Sequence, residues 1–135
     1  DNTIEVYSKA CPLFVSLAEV GWWENDIAYR IAEEYLIPLK NEGIDTLVMG
    51  CTHYPILQNT IRSVMGPEVE LVSSAREVAK VVRDVINEKN LNRDKEIKPV
   101  YRYYTSDSVE LFESLGSTIL DVNIQSAEKV DIEKY

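Results

Sequence analysis

Between Thr46 and Pro55 the chain reads Thr46-Leu47-Val48-Met49-Gly50-Cys51-Thr52-His53-Tyr54-Pro55. Thr46–Met49 is a short, continuous run of apolar character, which predicts a strand covered on both faces. Gly50 permits a tight turn and close backbone approach. A helical stretch over Ile56–Met65 follows, with Pro55 as the first residue of its helix and Gly66-Pro67 as its stop. Val69–Val72 reads as the next strand. Ser74-Ala75-Arg76-Glu77 then forms a capping box, S-x-x-E, leading a helix with Ala75, Val78, Ala79, Val82, Val85 and Ile86 on one side. Strand, helix, strand, helix predicts an α/β fold with a mostly parallel sheet and crossover helices.

The same alternation extends outward. Upstream, Thr3–Tyr7 reads as a short strand, and Pro12 opens a turn or short helix carrying Leu13, Phe14, Leu17 and Ala18. From Asp26 to Asn41 the spacing is helical: Ile27, Ile31 and Tyr35 recur, Ala28, Ala32 and Leu39 widen the stripe, and Asn25 or Asp26 can cap it. Pro38 in the last turn and Gly43 beyond are stop signals. Downstream, Asn87–Lys98 is a mixed-sign charge run that predicts a solvated loop. Val100–Thr105 reads as a strand, Asp107 with Glu110 as a capped start, and Val109, Phe112 and Leu115 as a helix ended by Gly116. Ile119–Ile124 reads as a last strand and Gln125–Tyr135 as a polar tail.

The chain has 135 residues, 14 Lys+Arg and 23 Asp+Glu, a formal net charge of -9. That length suits one folded domain. The acidic balance argues against nucleic acid or an anionic membrane surface as partner, because phosphate binding needs a positive field. No apolar run approaches the roughly 20 residues of a membrane helix. Two cysteines, Cys11 and Cys51, are too few for a disulfide-built scaffold, and a cytoplasmic protein with reduced thiols is expected. The first residue is Asp1 and not Met, which suggests a piece of something longer.

Chemistry concentrates after the Thr46–Met49 strand, at the carboxyl end where open α/β sheets bind ligands. Cys51 there stands near the positive end of the following helix, which favours thiolate over thiol. His53, the single histidine, can give or take a proton beside it. Equally, Cys51 can be a small buried hydrophobe and His53 an ordinary hydrogen-bonded group. The pair supplies two ligands where structural zinc wants four, so no metal is expected. Cys11 reads as structural, in an apolar setting. Glu19, Glu33 and Glu34 read by spacing alone as surface acids, and Trp22-Trp23 as core or the lining of a cleft.

Gly50–Pro55 with Ile56-Leu57 resembles the second signature of the glutamate racemase family. Ala10-Cys11-Pro12-Leu13-Phe14-Val15 with Leu17 and Glu19 is similar to the segment that precedes it in that family. Ile37–Lys40, Ile44–Met49, Leu71–Ala75 and Tyr103–Asp107 also fit, so the likeness covers nearly the whole chain. It implies a cofactor-independent racemase that interconverts L- and D-glutamate with two cysteines on opposite faces of the α-carbon. On that likeness Cys51 is the cysteine that acts on L-glutamate, His53 assists its proton transfers, Glu19 is the acid near it, and Thr52 holds the substrate. His53 tilts the choice toward glutamate, because related aspartate racemases tend to carry an acid there.

The resemblance further implies a homodimer of the cytoplasm that supplies D-glutamate for peptidoglycan. Family members fold as two α/β lobes with the site between them. Residues 1–72 then complete the second lobe and 73–135 return to the first. The other catalytic cysteine belongs to an N-terminal half missing from this chain, so the fragment alone is expected to be inactive. Ser73 stands where the family often has aspartate, and Ser16 where it often has proline. Two other readings stay open: a racemase of the same superfamily acting on aspartate or a hydantoin, and a non-catalytic α/β module with a packed Cys/His pair.

Overall fold

The structure, a computed structural model, describes residues 3–93 and 96–134. It divides into two units, Asp1–Leu91 and Asn92–Tyr135. Part of the predicted charged loop, Asp94 and Lys95, lies outside the described residues.

The first unit opens with helix α1, Pro12–Glu19. Proline suits a first turn, where its missing N–H has no helical partner to lose. Phe14, Leu17 and Ala18 form the buried side. The helix ends because Gly21 takes φ +75°. That turn lets Gly21 N–H reach Ala18 O (3.3 Å) and Trp22 N–H reach Leu17 O (2.9 Å), a Schellman closure that a Cβ would strain. Helix α2, Asp26–Asn41, has the predicted bounds, and Asn25 is its cap, accepting from Ile27 N–H (3.1 Å) and Ala28 N–H (2.9 Å). Its buried stripe is Ala28, Ala32, Leu36 and Leu39. Ile27, expected in that stripe, is exposed, and Leu36 takes its share of the core.

Strand β1, Thr46–Met49, pairs in parallel with β2, Glu70–Ser73, with Leu47 opposite Leu71 and Met49 opposite Ser73. Between them run a 3₁₀ turn, Tyr54–Leu57, and helix α3, Gln58–Met65. The crossover packs on α2, whose Ala28 and Ala32 are fully buried and let α3 approach closely. Leu57, Ile61, Val64 and Met65 fill the space, with Met49 beneath them. The reading of β1 as covered on both faces is overturned: Met49 is buried but Val48 is 61% exposed. The first predicted strand does not form either, since Thr3–Tyr7 belongs to neither sheet and leaves Ile4 and Val6 exposed.

Helix α4, Ser74–Glu88, has its cap one residue earlier than predicted. Ser73 is the N-cap, its Oγ accepting from Arg76 N–H (3.4 Å), so Ser74 is already helical. No residue of α4 is buried; Val78, Val81, Val82 and Val85 form an exposed apolar row.

The second unit holds a parallel pair, β3 (Tyr104–Thr105) and β4 (Glu128–Lys129), joined through helix α5, Val109–Leu120. Strand β3 is shorter than the predicted Val100–Thr105, and its partner comes from the expected tail. Ser108, not Asp107, caps α5 by accepting from Leu111 N–H (3.2 Å). The helix passes through Gly116, and Ile119–Leu120 are helical instead of strand. Gly116 serves close packing: a Cβ there would stand 2.9 Å from Ile124 Cδ1, and Ile124 is buried. With both parallel pairs spanned by helices, the molecule is α/β as predicted.

Candidate functional site

The site forms where β1 ends. Gly50 has no positive φ, and no atom lies within 4 Å of where a Cβ would stand, so the expected tight turn does not require glycine here. Residues 51–53 bend into the Tyr54–Leu57 turn, which Ile56 N–H closes on His53 O (3.0 Å). Cys51 therefore precedes one 3₁₀ turn instead of the α-helix that was expected, and α3 starts only at Gln58.

The bend gathers three of the four candidate side chains, and α1 delivers the fourth. Cys51 is half-buried, with Sγ 4.0 Å from His53 Nδ1. Thr52 Oγ1 lies 3.3 Å from the same nitrogen. On the far side of the ring, His53 Nε2 stands 3.7 Å from Glu19 Oε1. A carboxylate facing Nε2 favours the proton there, which leaves the Nδ1 lone pair toward the thiol and the hydroxyl. The arrangement can accept a proton from Cys51 and return it. Thr52 competes for the same lone pair and is exposed, so its hydroxyl can turn outward to a ligand.

Tyr54, to which the sequence reading gave no role, is the anchor of this bend. Its hydroxyl donates to Cys11 O (3.2 Å) and accepts from Cys11 N–H (3.3 Å). Its ring meets Phe14 edge-on at 5.4 Å, and Phe14 meets Tyr35 the same way at 5.4 Å. Burial pushes the Tyr54 phenol above its usual range, the nearby Cys11 and Cys51 adding to this and the Cys11 backbone bond opposing it. The signal was an aromatic residue with a polar tip inside the Gly50–Pro55 motif. Its partner could not be read from spacing.

Cys11 is buried, with Sγ donating to Lys9 O (3.6 Å). Burial pushes its thiol up, and the Lys9 charge opposes that only in part. Both cysteines are free thiols. Trp23 Nε1 donates to Ala18 O (2.9 Å), while Trp22 is exposed. Among the described residues, no three His, Cys, Asp or Glu side chains gather as a metal would require, and no helix is long and apolar enough to cross a membrane.

No family model matches the chain. The glutamate racemase of Geobacter metallireducens is 40% identical to it over 130 residues, covering 96% of this chain and 48% of that relative. The glutamate racemase of Thermoanaerobacter sp. (strain X514) is 40% identical over 135 residues, covering all of this chain and 51% of the relative. Among solved structures, glutamate racemase from Francisella tularensis in complex with D-glutamate superposes with a TM-score of 0.87 at 33% identity, over 100% of this chain and 50% of that one. In sequence and in fold, this chain is similar along its whole length to about half of a glutamate racemase.

It spans about half the length of the glutamate racemases it matches. A groove of about 880 Å³ runs beside β1, lined by residues that include Val6, Phe14, Leu47, Val48 and Tyr54. Neither Cys51, His53 nor Glu19 lines it. The groove lies between β1 and the chain segment of residues 3–9. It is distinct from the candidate site.

Proposed function

We propose that this chain is the C-terminal half of a cofactor-independent glutamate racemase, and that Cys51 is one of its two bases. The observation that carries the reading is the run of contacts from Cys51 Sγ through the His53 ring to Glu19. Similarity to glutamate racemases supports glutamate as the substrate.

In this reading the Cys51 thiolate removes the α-proton of L-glutamate, and the C–H electron pair stays on the α-carbon as a carbanion-like centre. A thiol from the other half of the protein gives its proton to the opposite face and becomes the thiolate. Cys51 thus ends as a thiol; His53 Nδ1 takes its proton and releases it to solvent, and the opposite thiolate takes one up from solvent, which resets the site. Glu19 holds the imidazole in the tautomer that can do so. Thr52 binds the substrate through its hydroxyl and backbone N–H. Inversion needs an acid and a base on opposite sides of one carbon, so the 135 residues alone are inactive. The same similarity supports a cytoplasmic homodimer whose D-glutamate goes to peptidoglycan. Residues 1–72 would belong to the second lobe and 73–135 to the first.

The test uses the protein at the full length of its relatives, incubated with L-glutamate in heavy water while NMR follows the α-proton. Loss of that signal, abolished in Cys51→Ala, is the expected result. No exchange by the well-folded protein with glutamate or aspartate would overturn the reading, and exchange with aspartate alone would move the substrate class.

A further inference from the structure

Helix α1 is held against the Cys51–Tyr54 bend at both of its ends. At its start, the Tyr54 hydroxyl binds both the N–H and the carbonyl of Cys11. At its finish, Glu19 faces His53 at 3.7 Å. Cys11 sits at the helix N-cap position, and its side chain makes no capping bond there. The Tyr54 hydroxyl supplies the side-chain contact at this end instead. Tyr54 also follows His53 directly in the chain, so one residue fixes both the backbone that carries the imidazole and the helix that carries its carboxylate.

We propose that Tyr54 is a positioning residue, whose hydroxyl sets the orientation of α1 so that Glu19 meets the His53 ring. This rests on the racemase reading for its effect on rate, but not for its effect on geometry. Eight residues make α1 about 12 Å long at about 1.5 Å per residue. A tilt of about 5° at the Cys11 end therefore carries Glu19 by about 1 Å. The His53–Glu19 contact has little room for such a shift, because at 3.7 Å it is already longer than an ordinary N–H···O bond. Phe14 stiffens the same joint through its edge contact with Tyr54. Tyr35 provides a comparison: its hydroxyl accepts from Leu13 N–H at 3.5 Å, so it touches the same helix end without any bond to the bend.

The experiment uses the full-length protein, with the imidazole ¹⁵N resonances of His53 assigned by their loss in His53→Gln. Tyr54→Phe removes the hydroxyl and keeps the ring. Its His53 resonances are expected to move in the direction and to nearly the extent seen in Glu19→Gln, with no further movement in the double variant. Tyr35→Phe is expected to leave them at the wild-type positions. Exchange of the glutamate α-proton should fall about tenfold in Tyr54→Phe, since misplacement by about 1 Å can cost up to about 10²-fold. That loss should not multiply with the Glu19→Gln loss. Should Tyr54→Phe fail to fold, Phe14→Leu loosens the same joint and is expected to move the resonances in the same direction. Unmoved His53 resonances in a folded Tyr54→Phe, or in Phe14→Leu where that variant replaces it, would overturn the proposal. So would rate losses that multiply. If the wild-type protein shows no Cys51-dependent exchange, the racemase reading fails, and the resonances still decide the role of Tyr54.

Discussion

His53 Nε2 and Glu19 Oε1 lie 3.7 Å apart although one belongs to the bend behind β1 and the other is the last residue of α1. Both side chains are well exposed, at 35% and 57%. A polar contact in that setting contributes at most about 1 kcal/mol. Glu19→Gln should therefore leave the urea midpoint nearly unchanged. It should lower Cys51-dependent exchange about tenfold, less than the ~10²–10⁴ of a group that itself moves the proton. Parallel melts and exchange rates on one preparation check both halves of this statement.

The two cysteines should differ sharply toward an alkylating reagent. Cys51 is half-buried at a bend, whereas Cys11 is 4% exposed with its thiol pushed up by burial. Iodoacetamide should label Cys51 at least about tenfold faster at neutral pH, because Cys51 is the more accessible and burial holds Cys11 as the unreactive thiol. Peptide mapping by mass spectrometry reads the ratio directly, and equal rates would contradict the burial of Cys11.

Neighbouring serines should prove unequal. Ser73→Ala removes the cap of α4 and should cost about 0.5–2 kcal/mol. Ser74→Ala, at the first helical position, should be close to neutral. Denaturant melts of the two variants distinguish the cap that the structure shows from the one that the S-x-x-E pattern suggested.

Stability should fall on the alkaline side. Burial is the main cause that raises both Cys11 and Tyr54 above their ordinary values. The unfolded chain then releases these protons first. The stabilisation is fully present below the unfolded pKa, about 8.5 for a thiol, and is lost as pH rises through the folded values. Glu110 has the opposite sign: its own backbone N–H and the Ser108 hydroxyl lower its pKa, so its contribution is lost as pH falls. Urea midpoints measured upward from neutral pH should decline, and Cys11→Ala should flatten that decline.

Local signals carried much of the fold. Helix α2 was legible to its last residue because Asn25, the apolar period and Gly43 all act within a few residues of it. The period fixes a stripe but not its edges, so Ile27 and Leu36 exchanged roles. Gly116 read as a stop because its reason, the approach of Ile124, lies outside the helix. Strand β3 was overdrawn and β4 missed because two-residue strands exist only through each other. At the site, the spacing of Cys51 and His53 is visible in the sequence, as both stand on one bend. The approach of Glu19 depends on the direction of α1, which no spacing reveals and only the family resemblance suggested. Tyr54 escaped notice for the same reason, since Cys11 is distant in sequence.

Helix α4 has one further consequence for the behaviour of the chain. Five of its fifteen residues, Val78, Val81, Val82, Val85 and Ile86, are β-branched. Such side chains lose rotamer freedom in a helix, so the segment is a weak helix former by itself. With none of its residues buried, it lacks the packing from which most helices in proteins draw their stability. Its backbone amides should exchange with solvent sooner than those of α2, whose Ala28 and Ala32 are sealed against α3. The order of α4 is thus conditional, and hydrogen exchange along it would report how much of its apolar row is covered at any moment.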